Sequence, residues 1–178
     1  MKNFKFFFQL FALVVFCFAT TISHAQSVQL LPGSTITTHD YETAAADGAE
    51  NVSLVAFQKP SSQIRLASYF ISSTGSVDLQ NTLDLGNAKQ ANLTMLSTTR
   101  AVLVQILTDN KLKVMVFKIG LGNGNIEEKA SWIGPVVNNI KPAIVKRSVS
   151  SFAVGVSIGA GNFRLTTFTV DPNSNIYK

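Results

Sequence analysis

The sequence predicts an all-β fold of tandem four-stranded antiparallel units, on three observations. A strand signature recurs as Ile64-Arg65-Leu66, Leu112-Lys113-Val114 and Phe163-Arg164-Leu165, at spacings of 48 and 51 residues. Each copy carries an aromatic at the fifth place after its first residue (Tyr69, Phe117, Phe168) and a β-branched residue at the seventh (Ile71, Ile119, Val170). A repeat of this length marks an array of equivalent supersecondary units. Each signature also follows a second apolar run across a polar link of hairpin size. Finally, no stretch after the N-terminal leader has the pattern of a long amphipathic helix.

The elements follow in chain order. Lys2 and Lys5, the apolar run Phe6 to Ala19 and the exit Ser23-His24-Ala25 read as a secretory signal over residues 1–25. Cys17 follows Phe16, not the small residue that lipoprotein processing requires. Residues 26–51 form an N-terminal segment, in which Ser27 to Leu30 resembles the outer strand Ser76 to Leu79 and Ile36 to Tyr41 is a candidate inner strand. Ala44-Ala45-Ala46, closed by Asp47-Gly48, reads as a turn or a single helical turn.

The repeat domain spans 52–178, in units of about 52–99, 100–149 and 150–178. Val52 to Phe57, Ala101 to Leu107 and Phe152 to Ile158 are first strands, linked to the signature strands by Lys59 to Gln63, Thr108 to Lys111 and Gly159 to Asn162. Turns at Ser72 to Ser76, Gly120 to Asn125 and Asp171 to Asn175 lead to outer strands opening at Val77, Ile126 and Ile176. Short apolar strands at Leu93 to Leu96 and Ala143 to Val145 complete four-stranded meanders.

Strand side chains alternate, so Ile64, Leu66 and Phe70 face one way and Ala67, Tyr69 and Ile71 the other. A sheet that is apolar on both faces needs cover on both. Stacked blades of a β-propeller provide it, and the expected architecture is an incomplete β-propeller of about three blade-like units. Closed propellers have about four to eight blades. Three explanations follow: a fragment of a longer protein, self-association, or a β-trefoil as the alternative threefold fold. The third unit, which reaches Lys178 as its outer strand begins, counts against the trefoil.

Arg100-Ala101-Val102-Leu103-Val104, followed by Asn110-Lys111-Leu112-Lys113-Val114, resembles a group of uncharacterised secreted bacterial repeat proteins with blade-like units of about 49 residues. The similarity runs from Val52 to Lys178. It implies a propeller-type fold and transfers no active-site residue.

Signal cleavage would leave 13 basic and 10 acidic side chains, a net charge of +3, with no cysteine. The expected location is secreted or periplasmic, with the fold held by its apolar core rather than by disulfides. Charges are scattered without a basic stripe, which argues against nucleic acid as partner. No stretch after the leader has the ~20 apolar residues of a transmembrane helix.

No catalytic residue is assigned. His39 beside Asp40 lacks a nucleophile motif and reads as a surface histidine. Glu127 and Glu128, adjacent on a strand, point to opposite faces and do not form an acid/base pair. No metal site or cofactor is expected. Asp171, Asn173 and Asn175 alternate like a calcium loop, but they occupy a turn common to all three units.

Arg65, Lys113 and Arg164 recur at one register place. They either form a basic arc for an anionic glycan or cell-surface polymer, or lay their stems over apolar neighbours. Trp132, the single tryptophan, is either a sugar platform or a packing residue on an outer strand. The expectation is an exported, non-enzymatic repeat module for binding or assembly, partnered by itself or by missing blades. The alternatives are part of a secreted hydrolase or lyase on a propeller scaffold, and a β-trefoil carbohydrate binder.

Overall fold

The computed structural model describes residues 42–178, with side chains from Asp47 onward. The expected leader over residues 1–25, Ser27 to Leu30, Ile36 to Tyr41 and His39 lie outside the described residues. Among these residues eleven strands follow one another: β1 (Glu42–Ala49), β2 (Val52–Gln58), β3 (Gln63–Ile71), β4 (Val77–Ser97), β5 (Arg100–Leu107), β6 (Lys111–Ile119), β7 (Ile126–Val136), β8 (Ala143–Ser148), β9 (Ser151–Gly159), β10 (Asn162–Val170) and β11 (Ile176–Tyr177). All pairings are antiparallel between sequence neighbours. No helix of the described residues is long and apolar enough to cross a membrane.

The 21-residue β4 belongs to two sheets. Its first half, Val77 to Asn87, pairs with β3, and its second half, from Ala88, pairs with β5. Gly86, at φ 82°, supplies a backbone geometry that other residues rarely adopt, just before the change of partner. Ala88 is tied back to the first hairpin, where its N–H donates to Ser62 O at 3.0 Å and its carbonyl accepts from Gln58 Nε2 at 2.8 Å. The result is three successive four-stranded sheets: β1–β3 with the first half of β4, the second half of β4 with β5–β7, and β8–β11.

The central hairpins are built in one register. Ala56 faces Leu66, Val104 faces Val114, and Gly155 faces Leu165. These partners shift together along the chain, so Leu66, Val114 and Leu165 hold equivalent places. The alternation of strand side chains therefore makes equivalent faces of the three sheets carry equivalent residues.

Two cores fill the spaces between the sheets. Leu54, Ala56, Ile64 and Leu66 of the first sheet meet Leu103, Met115, Phe117 and Ile119 of the second. The opposite face of the second sheet, with Val102, Val104, Leu112, Val114 and Val116, meets Phe152, Val154, Phe168 and Val170 of the third. The middle strands β5 and β6 are accordingly buried on both faces over most of their length. Phe117 and Phe152 are fully enclosed, and truncating either to Ala costs about 3–5 kcal/mol.

Two expectations need correction. The Ala44-Ala45-Ala46 segment is part of strand β1, not a turn or helical turn. Three alanines cannot sustain an isolated helix, whereas pairing from Glu42↔Gln58 to Ala49↔Val52 satisfies the backbone. β1 thus supplies the inner strand of the first sheet, upstream of the expected boundary at Val52. Asp47 locks it to the next sheet, since its Oδ2 accepts from Met95 N at 2.6 Å and Thr94 Oγ1 at 3.1 Å. The sheet boundaries are also displaced from the sequence units, because the short apolar strands expected to close each unit open the next sheet. Neither a closed barrel nor a closed ring of sheets is present among the described residues.

Candidate functional site

The third sheet presents its equivalent of the faces buried in the first two, and among the described residues nothing covers this face. Ile64 and Leu112 are 0% and 3% exposed, whereas Phe163 at the same register place is 63% exposed. Leu66 and Val114 are both fully buried, and Leu165 is 65% exposed. Register puts Val145 (opposite Ala153) and Tyr177 (opposite Thr169) on this same face, and both are also exposed. Gly155 sits beneath the Phe163 ring, in the position where any Cβ would collide with it. The tip of the ring therefore reaches over Gly155 while most of the side chain stays exposed, and together these residues make an apolar patch of the kind that marks interaction sites.

The repeated cations are treated differently by their surroundings. Arg65 makes a two-pronged contact with Asp84, Nε to Oδ1 at 2.7 Å and Nη2 to Oδ2 at 2.9 Å, and Lys59 joins the same carboxylate. The Arg65 and Lys59 hydrogen bonds hold the Asp84 carboxyl well below the usual carboxylate range. Lys113 lies 3.9 Å from Glu128 on the outer strand of its own sheet. Arg164 is exposed and has no ion pair among the described residues. Two of the three cations are thus met by local acids.

Trp132 packs across the seam between the second and third sheets. Its ring meets Phe168 edge-on with centroids 5.2 Å apart, and Phe168 in turn stacks on Phe152 at 5.2 Å. Lys178 Nζ lies 5.7 Å from the Trp132 ring centre, and Gly134 leaves room for the ring where a Cβ would strike it. The geometry accounts for this tryptophan as a packing residue with one cation over its ring.

Glu127 and Glu128 are both exposed on β7 and pair with different cations, Lys129 and Lys113. The Asp171 to Asn175 segment is a tight turn. Ser174 N donates to Asp171 O at 2.9 Å, and Asn175 N donates to Asp171 Oδ1 at 2.8 Å. Asn175 Nδ2 also reaches Asp171 Oδ2 at 2.8 Å, and the hydrogen bonds from Asn175 lower the Asp171 pKa. The first-sheet turn has the same plan: Gly75 N donates to Ser72 O at 2.9 Å and Ser76 N to Ser72 Oγ at 3.0 Å.

The bare face was the feature that residue patterns did not isolate. Phe163 and Leu165 have the same hydrophobic character as their buried counterparts, so only their place in the last sheet distinguishes them.

No protein-family pattern matches the chain, and no curated protein matches it. A solved structure that it resembles is that of Sqt1 from Saccharomyces cerevisiae, with a TM-score of 0.55 and 11% identity. The match covers 79% of this chain and 35% of that one, so this chain spans about a third of its length. At this identity the likeness concerns the fold.

Proposed function

We propose that this chain is an exported, non-enzymatic β-propeller-type repeat module that works by assembly and binding, its third sheet covered by another four-stranded sheet of the same kind. The observation that carries this reading is the exposure of Phe163 and Leu165 where Ile64, Leu112, Leu66 and Val114 are buried. In the two sheet junctions within the chain, that face receives large apolar side chains of the next sheet, such as Phe117 and Phe168. The same chemistry is the natural complement of the third face. Each fully buried Leu or Phe contributes about 1.5–3 kcal/mol relative to exposure, so a sheet docking here gains from several residues at once.

The propeller part of the reading is supported by the shared register of the three hairpins and by β4, which leaves one sheet as its outer strand and enters the next as its inner strand. The resemblance to secreted bacterial repeat proteins and the leader sequence support export. The non-enzymatic part rests on the scarcity of catalytic side chains, with two histidines and one cysteine in the chain.

For the 178-residue chain alone, the covering sheet belongs to a second copy. Sedimentation velocity over a hundredfold range of concentration tests this. Self-association that Leu165→Asp abolishes without loss of β-sheet circular dichroism is the expected result. A folded monomer at every concentration overturns it.

A further inference from the structure

A cavity of about 280 Å³ opens at the seam between the second and third sheets, lined by Arg100, Lys118 and Lys129 together with the turn Pro172, Asn173 and Ser174. Arg100 and Lys118 are direct cross-strand partners on β5 and β6. Like charges placed opposite each other in a sheet are destabilising. Arg100 makes one weak contact, Nη2 to Pro172 O at 3.3 Å, and Lys118 has no ion pair among the described residues. On its other side Lys118 faces Glu127 directly across β6 and β7, and the Glu127 carboxylate makes its ion pair with Lys129.

The repeat does not call for this pair. The equivalent partners are Val52 with Phe70 in the first sheet and Ser151 with Thr169 in the third. Neutral pairs are thus compatible with the architecture at this place, whereas here three cations share one carboxylate, Glu127. Departures of this kind from local consistency concentrate at functional sites.

We infer that Arg100, Lys118 and Lys129 form a binding site for a compact oxyanion, a phosphate or sulfate group, at the seam of the second and third sheets. The Arg100 guanidinium offers a planar fork to two oxygens and Lys118 supplies a point charge, while Lys129 offers the donors left over from its ion pair with Glu127. An anion between Arg100 and Lys118 converts their repulsion into two charge-assisted contacts. The Pro172 to Ser174 turn belongs to the third sheet, so the ligand would also tie the two sheets together. This site is separate from the bare face and does not depend on what covers it.

The test uses two probes on the full chain at low ionic strength: inorganic phosphate, and a sulfated polysaccharide. Titration calorimetry is expected to show binding that Lys118→Thr and Arg100→Gln each weaken about tenfold or more, the loss of a charge-assisted contact. If phosphate binding alone responds to the substitutions, the ligand is the free ion. If polysaccharide binding alone responds, it is a substituent on a polymer. Thermal melts give an independent reading. Saturating probe should raise the melting temperature of the parent by more than that of Lys118→Thr or Arg100→Gln. Absence of binding to both probes, or affinities unchanged by both substitutions, overturns the site.

Discussion

Leu165 pairs with Gly155 as Val114 pairs with Val104, yet Val114 is fully buried and Leu165 is 65% exposed. Identical register with opposite burial has a measurable consequence. Val114→Ala should cost about 2 kcal/mol, since it removes two methyl groups from a closed core. Leu165→Ala should change the stability of the dilute protein by less than about 0.5 kcal/mol, as a surface change does. Urea denaturation of both variants at low concentration checks the contrast. Equal losses would mean that Leu165 is already packed.

Gln105 is fully buried on β5, and neither its Oε1 nor its Nε2 has a hydrogen-bond partner among the described residues. The equivalent places hold Phe57 in the first sheet and Val156 in the third. An unpaired buried amide carries a desolvation penalty, and an apolar group of similar size removes it. Gln105→Leu is therefore expected to stabilise the fold by about 1–2 kcal/mol, read as a higher urea midpoint at constant slope. A lower midpoint would show that the amide has a partner in solution.

Asp84 gives the first sheet a dependence on acid. Its carboxyl is held well below its ordinary value of 3.8 by Arg65 and Lys59, so the unfolded chain takes up the proton first as pH falls. The contribution is complete above about pH 4 and fades as pH drops toward the folded-state pKa. Because the Asp84 side chain is 38% exposed, screening limits the effect to about 1 kcal/mol or less. Asp84→Asn should melt lower than the parent at pH 7, and the gap should narrow below pH 4 and in high salt. A gap independent of pH would place the effect elsewhere.

The turn before β11 uses Asp171 as the turn before β4 uses Ser72. Asp171→Ala should lower the melting temperature, because Asn175 N loses its side-chain acceptor. Asp171→Ser should recover much of the loss by copying the first-sheet arrangement. A metal role predicts something different, namely a melting temperature that rises with added calcium in the parent only. Melts of the three proteins with calcium or with chelator separate these outcomes.

Much of the fold was legible because the repeat is written in hydrophobic spacing. Ile64, Leu112 and Phe163 announced equivalent strands, and the hairpin register follows from link lengths that are nearly constant. The turn at Asp171 was also readable once aligned with Ser72. β1 was not, because alanines carry weak strand preference and the segment is held by pairing with β2 and by Asp47, which are tertiary facts. The sheet boundaries were shifted for a related reason: continuity through β4 is a property of the backbone around Gly86, not of apolar pattern. The exposure of Phe163 and Leu165 depends on what lies beyond them, which no local pattern encodes. The Arg100–Lys118 pair left a signal that went unused, since counting outward from the Thr108 to Lys111 link sets the two residues opposite each other.

Thiol accessibility at the third face is the most direct test. The single cysteine, Cys17, lies outside the described residues, so Leu165→Cys and Thr74→Cys each place one reporter among them. Thr74 is exposed on a turn and serves as the open reference. At high protein concentration Cys at 165 should react with a thiol reagent far more slowly than Cys at 74, and dilution should remove the difference. Equal rates at every concentration would contradict the account, for they would show the third face standing open to water.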